Sequence, residues 1–265
     1  IREITSFIPV VLEMGNVFTF LVCFAASVIG DLCGIGGGVL AKPLLDAVGV
    51  MPVSTVSFLS GLTVLSMAAI SVYKNRKTDR LQWERSLPLG IGAALGGVWG
   101  KWIFDVLRGF AGADHLVGCV QAAVLGLFVL GILFYVRFRT RIRTRHIENR
   151  AACGLIGSML GLISAFLGIG GGPMNIVVFH YFFSMDTKTS AANSLLVVLI
   201  SQSGSFLYSL INRTVPDFQA ITLVVMVCAG IAGGFTASRL QGKMSVKQIE
   251  RLFCMVLILI LHLCV

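Results

Sequence analysis

Charge is scarce in this 265-residue chain. Asp, Glu, Lys and Arg make up 12% of it, against about 25% in an average soluble domain. Acidic residues are the scarcer sign, 12 against 21 Lys and Arg, for a net charge of +9. The basic excess is not spread out: eleven of those 21 lie in Lys74–Arg85 and Arg137–Arg150. With 56% apolar residues and a mean hydropathy of +0.91, the composition excludes a soluble enzyme, a disordered chain and a nucleic-acid-binding domain. Near-chargeless runs separated by basic clusters describe a polytopic all-α protein embedded in a lipid bilayer.

Recognisable enzyme chemistry is also missing. There is no GxSxG, HExxH, phosphate loop with GKS/T or inward carboxylate pair, so no catalytic residue, cofactor or metal site is expected and the chain does not read as an enzyme. The seven cysteines (23, 33, 119, 153, 228, 254, 264) include no CxxC. Most sit in apolar runs, where free Cys behaves as a small hydrophobe. Cys33 stands apart because it adjoins a glycine cluster. The first apolar run is too long, and lacks the small-residue ending, to read as a cleavable signal peptide.

What the sequence has in abundance is apolar runs. A membrane helix needs roughly 20 such residues, and six runs fit: about 53–73, 87–107, 115–136, 189–211, 218–237 and 248–265. Two others, 15–50 and 149–185, are nearly twice that length. Each carries a glycine knot, Gly34-Ile35-Gly36-Gly37-Gly38 or Gly168-Ile169-Gly170-Gly171-Gly172. Each Gly costs a helix about 1 kcal/mol relative to Ala, so each segment is expected to be two short helices joined by an unwound turn. Pro173 suits the first turn of the helix that follows.

Basic loops are expected on the cytoplasmic side. If 149–185 crossed fully, the loop with Arg239, Lys243, Lys247 and Arg251 would face outward; if it turns back, that loop lies inside. The re-entrant hairpin is therefore the expected form. The knots lie 134 residues apart, as do Met51 and Met185. Gly96-Gly97 and Gly233-Gly234 recur at a similar offset and are expected to serve close helix packing. The chain thus divides into a first repeat, 1–136, with broken segment 15–50 and three membrane helices. A basic cytoplasmic linker, 137–150, leads to a second repeat, 151–265, with broken segment 151–185 and three more helices. With three crossings per half the second repeat is inverted, a plan that recurs in secondary transporters.

Helix ends beside the knots present free backbone N–H groups and a positive dipole to an anion. Candidate ligands are the knot glycines 34, 36, 37, 38, 168, 170, 171 and 172. Ser57 and Ser60 in the first half, and Asn193, Ser194 and Gln202 in the second, join them; Asn193 and Gln202 are costly in a membrane unless partnered. Asp31 and Lys42 flank the first knot, and intramembrane charges are functional hypotheses by default. They either pair with each other, or Lys42 holds the anion while Asp31 answers to a coupling ion, proton or sodium. His180 is a second coupling candidate.

These residues resemble the sulfite exporter TauE/SafE family. The resemblance rests on Gly34–Gly38, Lys42-Pro43, Ser57-Phe58-Leu59-Ser60, Lys74–Trp83 and Gly90–Gly100. It returns in Gly168–Gly172-Pro173, Ala191-Ala192-Asn193-Ser194-Leu195 and Gly230–Gly234. Asp31 and Lys42 are unusual charges for it, and Asn193 stands where Thr is common. The resemblance implies export of sulfite or an organosulfonate such as sulfoacetate across the bacterial inner membrane. Alternating access, the two repeats rocking about a fixed site, is the expected mechanism, and the protein is open to homo-oligomerisation. Competing readings are a passive anion channel, a transporter of another small organic anion, and a membrane-embedded enzyme or sulfur-relay protein using Cys33.

Overall fold

A computed structural model describes residues 2–49, 51–76, 80–111, 114–139, 142–147, 149–167 and 172–264. Within them the chain is helical: α1 Arg2–Cys33, α2 Gly38–Val48, α3 Val53–Asn75, α4 Trp83–Ala111 and α5 Asp114–Phe138. There follow α6 Arg150–Leu167, α7 Met174–Phe183, α8 Thr187–Ile211, α9 Ala220–Gln241 and α10 Val246–Cys264. Seven stretches among the described residues are long and apolar enough to cross a membrane. Large apolar side chains such as Leu95, Trp99, Leu127, Phe134 and Ile211 are exposed around the bundle. In water they would be a liability; facing lipid they cost nothing. The molecule is a multi-pass membrane protein.

Both expected breaks fall at the knots, α1 giving way to α2 and α6 to α7, but only the second piece of each segment is short: α1 runs 32 residues and α6 18, and each is itself long and apolar enough to cross a membrane. The two short helices end alike. Gly49 caps α2 and Ser184 caps α7, each in the left-handed region, at φ 66° and 53°. Asp186 then opens α8 as an N-cap, its carboxylate accepting from the Lys188 and Thr189 amides.

The helices pack in matched pairs. α4 lies along α6, and α9 along α1; α4 also meets α8, and α9 meets α3. Matching α1, α3 and α4 with α6, α8 and α9 maps each contact onto its counterpart. Small residues bring these backbones together. A Cβ at Gly92, Gly96 or Gly100 of α4 would overlap the carbonyl oxygens of Gly154, Ser158 and Leu162 of α6. On α9, a Cβ at Gly233 would overlap Ser27 of α1. The paired glycines 96 and 233 are thus packing residues.

Three basic stretches gather at one end of the bundle. Asn193, near the start of α8, holds the backbone of Arg80 and Gln82. Arg139 pairs with Glu250 of α10 at 2.7 Å, and Glu250 also accepts from Thr187 of α8 at 2.8 Å. The end of α7 meets the same linker that precedes α6: the Arg145 and Ile147 amides donate to the Tyr181 and Phe182 carbonyls at 2.7 and 3.0 Å.

Candidate functional site

The first knot is built by glycine and then filled by its neighbours. Gly34 and Gly36 have φ of 68° and 79°, a conformation that other residues rarely adopt. The amides of Gly34, Ile35 and Gly36 turn back onto the carbonyls of Asp31 and Gly30. Gly34 to Gly38 are all buried. Ser194 donates to the Gly34 carbonyl at 2.6 Å, and a Cβ at Gly34 would overlap Ala191 of α8. Asp31, buried, accepts from Ser71 of α3. Cys33 beside it is buried as well.

Asn193 is fully used by the fold. Its carbonyl accepts from the Gln82 amide at 2.8 Å and the Ser86 hydroxyl at 2.7 Å. Its amide donates to Arg80 O at 2.7 Å and Thr189 O at 2.8 Å. This fastens Arg80, Gln82 and the first turn of α4 onto the start of α8, the same stretch whose Ser194 holds the first knot.

At the second knot Gly168, Gly170 and Gly171 lie outside the described residues. Gly172 takes φ 48°, and Pro173 forms the N-cap of α7. Carbonyls in the last turn of α6 find partners across the molecule. Lys42 of α2 donates to Leu167 O at 3.0 Å and to the Gln121 side chain at 2.8 Å. Gln121 of α5 donates to Phe166 O at 2.6 Å. An ammonium at the negative end of a helix is electrostatically favoured. Lys42 and Asp31 therefore serve different partners, not each other.

Next to this brace lies a polar cavity of about 80 Å³, room for several water molecules. Ser54, Ser57, Lys101, Asp105 and Gln121 come from the first half, and Ser164, Gln202 and Ser205 from the second. Thr214 and Pro216, in the loop between α8 and α9, line it too, so it lies toward the end opposite the basic stretches. The Ser57 hydroxyl is buried with no hydrogen-bond partner in the protein, a donor and acceptor left over for a guest. Of the candidates named from sequence, Ser57 and Gln202 meet here. Ser60 bonds back to Ser57 O at 3.2 Å. His180 lies apart, in a cavity of about 30 Å³ near Arg139 and Glu250, 2.9 Å from the Tyr135 hydroxyl.

The sulfite exporter TauE/SafE family model matches residues 19–262, nearly the whole bundle. The chain belongs to the sulfite exporter TauE/SafE family. Two relatives carry the name "Probable membrane transporter protein MamO". One, from Magnetospirillum gryphiswaldense, is 25% identical over 269 residues, covering 88% of this chain and 42% of that protein. The other, from Paramagnetospirillum magneticum, is 24% identical with the same coverage. The chain thus spans less than half the length of these relatives. No solved structure matches it.

In this TauE/SafE member, sequence reasoning passed over Lys101, Asp105 and Gln121. The signal was present: Lys101 and Asp105 are charges one helical turn apart in an apolar run, the same feature that drew notice to Asp31 and Lys42. The glycines of Gly90–Gly100 drew the reading of that run toward packing instead.

Proposed function

We propose that the protein exports a small sulfur-containing anion, sulfite or an organosulfonate such as sulfoacetate, across the bacterial inner membrane by alternating access. The observation that carries this is the polar cavity walled by both halves beside the end of α6, where the second broken segment is interrupted. Irregular backbone at membrane depth is tolerated where protein buries it or it lines such a cavity. Matched packing of α4 on α6 and α9 on α1 supports two repeats. The gathering of all three basic stretches at one end supports re-entrant broken segments and hence an inverted second repeat, with that end cytoplasmic.

On this reading the described state faces the periplasm. Ser57 and Gln202 offer donors to the anion, with Ser54 and Ser205 beside them. Lys42 acts at one remove, covering the carbonyls of α6 that would otherwise repel an anion. Knot backbone groups, Ser60 and Ser194 belong to the alternate state, in which the first knot opens as the halves rock. Asn193 releases its loop in that state. Asp31 and His180 are the coupling candidates, for protons or sodium.

Proteoliposomes loaded with radiolabelled sulfite or sulfoacetate test the assignment. Saturable efflux that unlabelled anion suppresses is expected. Large unitary currents without saturation would point to a channel, and no flux of either anion would sink the sulfur-anion reading.

A further inference from the structure

Lys101 occupies a place that the packing of α4 does not require. Its side chain lines both the larger cavity and a neighbouring one of about 40 Å³. Its ammonium donates to the Ser209 hydroxyl, and Ser209 lines only the smaller cavity. The ammonium also lies 5.8 Å from the centre of the Phe58 ring. Ser57, Phe58, Gln202 and Ser205 line both spaces, so the partition between them consists of side chains. Among the described residues that line either space, Lys101 is the single cation.

A lysine carries a compact charge on a flexible four-carbon stem. Its present acceptor is a neutral hydroxyl, which itself donates to Ser205 O at 3.0 Å. An anion in the larger cavity would offer a stronger, charge-assisted bond within the sweep of the stem. Asp105, one turn along α4 and lining the same cavity, keeps the ammonium's surroundings close to neutral before an anion arrives.

We infer that Lys101 reads the charge of the cargo by swinging between two positions, onto Ser209 in the described state and into the larger cavity when an anion enters. This rests on that cavity being the cargo site, as proposed above. It makes Lys101 the specificity-determining residue, while Ser57 and Gln202 provide neutral hydrogen bonds that any oxygen-rich guest could use. It also gives Ser209 an unusual sign, as a competitor of the substrate.

The test compares methanesulfonate with dimethyl sulfone, its uncharged near-isostere, as ligands that stabilise the purified protein against heat. Wild type should favour the anion on the order of tenfold to a hundredfold, the worth of one charge-assisted bond. Lys101→Met should melt as a folded protein and bring that ratio close to one. Ser209→Ala should bind methanesulfonate several-fold more tightly, a gain that a merely structural role would not produce. Undiminished discrimination by Lys101→Met, or equal or weaker binding by Ser209→Ala, would overturn the inference. Discrimination with the expected variant pattern but no sulfite flux would sink the export reading and leave the role of Lys101 standing. No discrimination by wild type would overturn both.

Discussion

Replacing Asn193 with alanine removes four hydrogen bonds, three of which tie the segment before α4 and the first turn of α4 to α8: Arg80 O, the Gln82 amide and the Ser86 hydroxyl. The fourth, to Thr189 O, lies within its own helix and can be lost cheaply. Each cross-chain bond is worth about 1 kcal/mol net, so the segment should be held about 3 kcal/mol less firmly. Ser86 is fully buried, which makes its loss harder to repair with water. Because a factor of ten corresponds to about 1.4 kcal/mol, opening of this end should rise roughly a hundredfold. A cysteine placed at Gln82, in a background without native cysteines, reports that opening through its reaction rate with a soluble thiol reagent. Labelling should be faster in Asn193→Ala, with the rest of the bundle intact. If the labelling rate and the thermal midpoint both match the parent, the bonds do not hold the segment and the closure argument fails.

Two further outcomes are expected. Gly96→Val should cost about 1–3 kcal/mol through overpacking, since its side chain meets the Ser158 backbone, whereas Gly131→Ala, where nothing lies within 4 Å, should be nearly neutral; thermal melts in detergent compare them, and equal midpoints would contradict the close approach of α4 and α6. Cysteines at Arg143 and Ser245 should label from one side of the membrane and a cysteine at Pro216 from the other, and opposite sidedness of the first two would refute the re-entrant form of α6–α7.

Much of the fold was legible because hydropathy and glycine are one-dimensional signals. The long helices α3, α4, α5, α8, α9 and α10 follow their apolar runs to within a few residues. The knots announced both breaks, since residues other than glycine rarely suit the φ of Gly34 and Gly36. Partnerships were not legible. Nothing local says that Lys42 should cover the end of α6, 125 residues away, because that contact arises only when packing carries α2 beside the Leu167 carbonyl. Asn193 looked like a ligand for the same reason that makes it structural: an amide in a membrane helix must be satisfied, and the sequence does not reveal by what. Lys101 and Asp105 were readable as intramembrane charges, yet their common cavity depends on Gln121, Ser164 and Gln202 arriving from three other helices.

The central claim is that substrate passes through the cavity between the halves, and Ser57 is the handle on it. Ser57→Cys, with native cysteines replaced, can be treated from the side of the α8–α9 loop with a membrane-impermeant thiol reagent while sulfite flux is followed in proteoliposomes. Modification should stop flux, and excess substrate should slow modification. Complete modification with flux unchanged would show that the cargo takes another route.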